Sequence, residues 1–192
     1  IIIIKTTMQE KNRYTATAIV FHWLLALLIV GTFGVGLYMV DLPLSPQRIK
    51  LYNWHKWAGV MILTLSLLRL LWRLTHPAPP LPSTMPLWQI RASHLAHLSL
   101  YVLFFAVPLI GWAYSSAAGF PIVWFGILAL PDWVPKDRDL AEAIKPFHEI
   151  SAWLLAAVVL IHIGAALKHH FINHDGVLAR MLPVFSKKKI TP

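Results

Sequence analysis

Four apolar stretches, each long enough to cross a membrane as a helix, decide what this chain can fold into. They cover residues 16–40, 52–72, 93–115 and 147–167. A hydrocarbon slab of about 30 Å takes roughly 20 apolar residues at about 1.5 Å of rise each. Inside lipid the backbone must satisfy its own polar groups, so each stretch is expected to be helical. The expected fold is all-α: an integral membrane four-helix bundle running up-down-up-down. With 192 residues, 57% hydrophobic and 13% charged, the chain is neither disordered nor an ordinary soluble domain.

Proline separates the spans. Leu42-Pro43-Leu44-Ser45-Pro46 breaks the chain after the first, and His76-Pro77-Ala78-Pro79-Pro80-Leu81-Pro82 makes the second link extended and stiff. The third link, about residues 117–146, carries Pro121, Pro131 and Pro135. Its apolar run from Ile122 to Leu130 is too short to span and is expected to lie on the membrane surface. Pro108 and Gly111 are expected to bend the third helix. Trp72, Trp88, Trp124 and Trp133 fall where interfacial aromatic anchors belong. Three regions follow: a segment over 1–15, a transmembrane domain over 16–172 and a basic tail over 173–192. Residues 1–7 lack the order of a signal peptide, and Met8 is the expected native start.

Seventeen basic against eight acidic residues give a net charge of +9. The N-terminal segment (Lys5, Lys11, Arg13), the second link (Arg69, Arg73, Arg91) and the tail (Lys168, Arg180, Lys187, Lys188, Lys189) hold eleven of the bases. Links one and three hold the other six, and six of the eight acids. Both termini are therefore expected to face the cytoplasm. The charge reads as topology and attraction to anionic lipid, and not as nucleic-acid binding, because the bases sit beside membrane spans.

Ten histidines in so apolar a chain need an explanation. His22, His55, His148 and His162 lie within the spans, where a polar side chain is costly and turns to the bundle interior. His148 and His162 are 14 residues apart, about 21 Å of helix rise, and point within about 40° of each other. In an up-down-up-down bundle His22 is level with His162, and His55 with His148. Two opposed imidazoles per level are too few for a small metal ion but suit haem iron, whose other ligands come from the porphyrin. With no cysteine for covalent attachment, the haem would be b-type. The residue one turn after each of the four is small: Ala26, Gly59, Ala152 and Ala166. Depth alone would also let His94 or His97 partner His162.

Ile19-Val20-Phe21-His22-Trp23-Leu24, Trp54-His55-Lys56-Trp57-Ala58-Gly59, Phe147-His148-Glu149 and Ile161-His162-Ile163-Gly164-Ala165-Ala166-Leu167-Lys168-His169-His170 carry a resemblance. So do Leu70-Leu71-Trp72-Arg73-Leu74-Thr75-His76-Pro77-Ala78-Pro79-Pro80 and Asp175-Gly176-Val177-Leu178-Ala179-Arg180-Met181-Leu182-Pro183. In order, from Arg13 to Pro183, they resemble the bacterial cytochrome b561 family of di-haem inner-membrane proteins, relatives of hydrogenase cytochrome b subunits. The resemblance implies two haems b, one on His22 and His162 and one on His55 and His148, and it sets His94 and His97 aside as ligands. It also implies electron exchange with ubiquinone and, as in one branch, oxidation of superoxide at the periplasmic face. A haem-bearing anchor relaying electrons for a separate dehydrogenase or periplasmic partner is the alternative. A transporter with proton-relaying histidines, carrying no haem, is a third reading.

Within that frame His169 is the candidate for proton exchange with a quinone, since imidazole titrates near neutrality. The bland alternative for His169 and Lys168 is a cationic helix end facing anionic lipid. Trp23 is a candidate wall of the quinone pocket. Arg69, a cation within an apolar run, is expected to meet a haem propionate or to snorkel to the surface. Lys56 is expected to contact a propionate or to form a positive mouth for anions. His169, His170 and His174 do not make a convincing metal cluster, because no acid or thiolate completes it.

Overall fold

The computed structural model describes residues 13–183. The expected start at Met8, Lys5, Lys11 and the lysines at the end of the tail lie outside the described residues. Four helices long and apolar enough to span a membrane make up an all-α bundle: α1 (Ala16–Val40), α2 (Pro46–Thr75), α3 (Leu87–Ala117) and α4 (Arg138–Lys168).

Capping explains where three of them begin. The Thr15 hydroxyl accepts from the Ala18 amide at 3.2 Å. Ser45 accepts from Arg48 at 3.3 Å, with Pro46 at the first helical position. Asp137 accepts from the amides of Asp139 and Leu140 at 2.8 and 3.1 Å. The caps lie upstream of the apolar stretches, so α2 and α4 start at Pro46 and Arg138 where hydropathy placed residues 52 and 147. Polar first turns prolong a helix without prolonging its hydrophobic stripe.

Successive helices pack antiparallel, α1 on α2, α2 on α3 and α3 on α4. No comparable backbone packing joins α1 to α4. These two meet through side chains, with Phe33 edge-on to Trp153 at 5.1 Å and His22 facing His162. One apolar cluster fills the middle of the bundle: Leu25 and Ile29 of α1, Ile62 of α2, Leu100, Leu103 and Phe104 of α3, and Leu155 of α4. Leu155 lies two turns from both His148 and His162, so this layer separates the two histidine levels. Large apolar side chains such as Leu27 and Leu160, about 70% exposed, cover the outside, as a lipid-facing surface requires.

The third link folds into a hairpin. Val123–Trp124 pairs antiparallel with Leu128–Ala129. Phe125 and Gly126 turn the chain with φ of 50° and 74°, the left-handed pair of a type I′ turn. An aromatic residue in that region is strained, and packing holds it there. The Phe125 ring lies 5.1 Å from Trp57 and 4.8 Å from Trp124. Trp57 donates its indole N–H to Val123 O at 2.7 Å, and Trp124 donates to Trp57 O at 3.3 Å. The expected surface segment is thus a hairpin clipped to α2 two residues beyond His55.

Replacing the α4 cap is the direct test of how that helix starts. Asp137→Ala is expected to cost about 1 kcal/mol, read as a lower midpoint of thermal unfolding in detergent. An unchanged midpoint would show that the cap contributes nothing.

Candidate functional site

The start of α1, the second link and the end of α4 lie at one end of the bundle, here the terminal end; links one and three form the far end. At the far end His55 of α2 faces His148 of α4, with ring centres 6.1 Å apart and planes at 87°. At the terminal end His22 of α1 faces His162 of α4, at 6.2 Å and 59°. Two imidazoles bound to one metal through Nε2, each at about 2.0–2.1 Å, hold their ring centres roughly 6 Å apart. Both pairs have that spacing.

The far-end pair also shows which nitrogen is free. His55 Nδ1 lies 3.1 Å from Thr32 O, and His148 Nδ1 lies 3.1 Å from Val107 O. A carbonyl oxygen only accepts, so each Nδ1 carries the hydrogen and donates it. Each Nε2 then keeps the lone pair a metal takes up. The rings lie against glycine. A β-carbon at Gly36 would come within 3.1 Å of His55 Cε1, and one at Gly111 within 2.8 Å of His148 Cε1. Gly111 is therefore a seat for a histidine ring, beyond the bend in α3 expected of it.

These residues fit haem better than a bare ion. Among the described residues no group of three or more histidines and carboxylates could hold a metal ion. Paired imidazoles, two per level, suit an iron that brings its own equatorial ligands.

At the terminal end a third imidazole, His97 of α3, lies 5.5 Å from the His162 ring at 63°. The separation of His22 from His162, 6.2 Å, is the one that matches the far-end pair at 6.1 Å. His94 is exposed. Arg69, 14 residues after His55 on α2, reaches the level of His22 and His162. Its guanidinium lies 5.8 Å from the Tyr101 ring centre, and the buried Tyr101 hydroxyl has no hydrogen-bond partner. The two side chains stand beside each other at this level. The Lys56 ammonium donates to Phe120 O and Pro121 O, at 3.3 Å each, and ties α2 to the third link.

Beyond α4 the chain makes a π-helical turn over His169–Asn173 and folds back across the terminal end. Trp23 stands edge-on to His22 at 5.3 Å and donates its indole N–H to Met181 O at 2.8 Å. Arg13 donates to Leu182 O at 2.7 Å, and Arg180 to Pro80 O at 2.6 Å. Inside this fold-back His169 Nδ1 meets the Asp175 carboxylate, and the Asn173 amide lies 3.2 Å from the same nitrogen. Burial pushes the Asp175 carboxyl up, but hydrogen bonds from His169, the Val177 amide and Asn173 outweigh it and hold it below the usual carboxylate range. An ionised Asp175 accepts the hydrogen of His169 Nδ1. Sequence reasoning counted Asp175 as a charge and as the first residue of the closing segment of the resemblance, but gave it no role beside His169; its place six residues after a candidate histidine was the available signal.

The family model described as prokaryotic cytochrome b561 matches residues 13–184. Cytochrome b561 homolog 2 of Escherichia coli (strain K12) is 37% identical over 176 residues, which cover 91% of this chain and 93% of that protein. Cytochrome b561 homolog 1 of the same organism is 31% identical over 173 residues, 90% of this chain and 98% of that protein. A probable superoxide oxidase CybB of Yersinia pestis is 32% identical over 174 residues, 90% and 97% respectively.

A carboxyl held below its ordinary pKa stabilises the fold above that ordinary value, about 3.9, and the gain is lost as pH falls through the lower folded value. Hydrogen-exchange protection of the Val177 amide, which donates to Asp175 at 3.1 Å, is therefore expected to hold from about pH 5 to 8. Asp175→Asn is expected to reduce it at neutral pH. Equal protection in the variant would show that the carboxylate does not hold the fold-back.

Proposed function

Because the chain belongs to the prokaryotic cytochrome b561 family, a multi-pass bacterial membrane protein of haem b electron transfer, we propose that it holds two haems b and passes electrons between a donor at the far end and ubiquinone at the terminal end. One haem sits between His55 and His148, the other between His22 and His162. The observation that carries this reading is the pair of ring separations, 6.1 and 6.2 Å, on one stripe of α4. The bundle lies in the bacterial inner membrane with both termini in the cytoplasm, so the far end is periplasmic.

Bound haem supplies a one-electron iron couple. The protein residues do the rest. Opposed imidazoles leave no open position for oxygen. Leu155, Ile29 and Ile62 keep water out of the layer between the two levels. Arg69 and Tyr101 would hold the propionates of the terminal-end haem. Asp175 orients His169, whose Nε2 exchanges a proton with a quinone carbonyl, and Trp23 walls that pocket. With superoxide as donor the balance is complete: two superoxide ions each lose one electron and become dioxygen. The two electrons and two protons convert ubiquinone to ubiquinol.

One observation favours a separate redox partner as the donor instead. The far-end cations Lys56 and Lys145 are engaged, the first by two carbonyls and the second by Glu149 at 3.8 Å. Carbonyls leave the Lys56 charge in place, but the six bases of links one and three are matched by six acids, which leaves little net charge for drawing a small anion. In that reading the chain is a haem-bearing anchor relaying electrons for a dehydrogenase or a periplasmic protein. Reconstituted protein that reduces ubiquinone from superoxide without an added subunit decides for superoxide; reduction only with a partner present decides for the relay.

Haem quantitation tests the sites. Wild-type protein is expected to carry two haems per chain and His148→Ala one; equal loss of both from a folded variant would contradict separate sites. His169→Ala is expected to slow quinone reduction by about 100-fold, at the lower end of general acid–base contributions, with haem content intact. Unchanged turnover would remove His169 from the mechanism.

A further inference from the structure

The two histidine pairs differ in what stands behind them. At the far end each ring is backed by the same device. Thr32 O closes the helical turn to the Gly36 amide and also receives His55 Nδ1–H. Val107 O closes the turn to the Gly111 amide and also receives His148 Nδ1–H. In both, the glycine stands four residues after the carbonyl. A helical side chain lies over the turn N-terminal to its own α-carbon, so a β-carbon at either position would cover the oxygen the histidine uses. The close approaches, 3.1 Å at Gly36 and 2.8 Å at Gly111, agree. Gly31, Gly34 and Gly164, also within α1 and α4, have nothing within 4 Å of a built β-carbon. The device is thus specific to two glycines, on two different helices, at one level of the bundle.

The terminal-end pair lacks it. Among the described residues, no hydrogen bond reaches a ring nitrogen of His22 or His162, while the guanidinium of Arg69 stands at their level. Donation from Nδ1 to a carbonyl makes an imidazole a stronger electron donor and stabilises oxidised iron, which lowers the reduction potential. A cation stands near each level, Arg69 at one and Lys56 beside His55 at the other, so the hydrogen bonds are what separates them.

We propose that Gly36 and Gly111 are positioning residues which, by uncovering Thr32 O and Val107 O, make the far-end haem the lower-potential of the two and drive electrons toward the terminal end. The proposal rests on the two-haem reading above. Each transfer moves one electron: the far-end iron is oxidised and the terminal-end iron reduced. The far-end donor restores the first and quinone relieves the second. Direction is then set within the helices, whichever donor serves.

Potentiometric titration of the wild-type holoprotein in nanodiscs, followed by absorbance, tests it. His148→Ala keeps only the terminal-end haem and assigns the two midpoints. The far-end haem is expected to titrate lower. In Gly36→Ala, the gentler of the two replacements, two haems should remain and the far-end midpoint should rise. A tenfold shift in electron sharing between the haems corresponds to about 59 mV for one electron. The terminal-end midpoint should stay in place. A far-end midpoint equal to or above the other in wild type, or one unmoved in a fully loaded Gly36→Ala, overturns the proposal. If Gly36→Ala fails to load, the wild-type order decides alone. Wild-type protein without haem would defeat the two-haem reading itself; loaded protein with the order reversed defeats only this inference.

Discussion

An imidazole placed inside a membrane must find a partner, and most of this architecture answers that demand. Six such rings lie in the spans, and the bundle brings four of them together two by two, from α1 or α2 to α4. α1 lies along α2 and α3 along α4, while α1 and α4 meet through side chains, His22 with His162 and Phe33 with Trp153.

The demand reaches past the rings. A histidine offering Nε2 inward needs an acceptor for Nδ1, and within lipid the only plentiful acceptors are helix carbonyls, already used in their own ladders. A carbonyl has a second lone pair, reachable when the residue one turn on has no side chain. Gly36 and Gly111 meet that condition. Glycine in a helix interior costs about 0.5–1 kcal/mol relative to alanine, a cost set here against an otherwise unsatisfied buried donor. At the terminal end the same problem has another solution for His169: an acidic residue from the fold-back accepts its Nδ1 hydrogen.

What sequence reveals of this molecule follows from the range of each interaction. The four helices were legible because span length is set by the bilayer. The levels of the four histidines were legible because helical rise is constant. The third link was readable only as apolar and too short to cross; the hairpin depends on Trp57 and Trp124, 67 residues apart, exchanging hydrogen bonds. Lys56 illustrates a different limit. Its neighbour His55 pointed to a cofactor role, yet its ammonium turns to the carbonyls of Phe120 and Pro121, which sequence spacing does not bring near. The glycine seats escaped for a related reason: glycine in a membrane helix has many uses, and the ring that selects this one comes from the neighbouring helix. The nearness of His97 to His162 was legible as a matter of depth, but only the 5.5 and 6.2 Å separations rank it below His22.

The central claim is that two irons are each gripped on both faces by imidazole. Low-temperature electron paramagnetic resonance of the oxidised, purified protein, with iron counted per chain, measures this directly. The account predicts two irons per chain, two distinct low-spin ferric signals and no substantial high-spin ferric signal. A dominant high-spin signal would mean an open axial position, and a single iron would mean that one pair holds nothing; either result contradicts it.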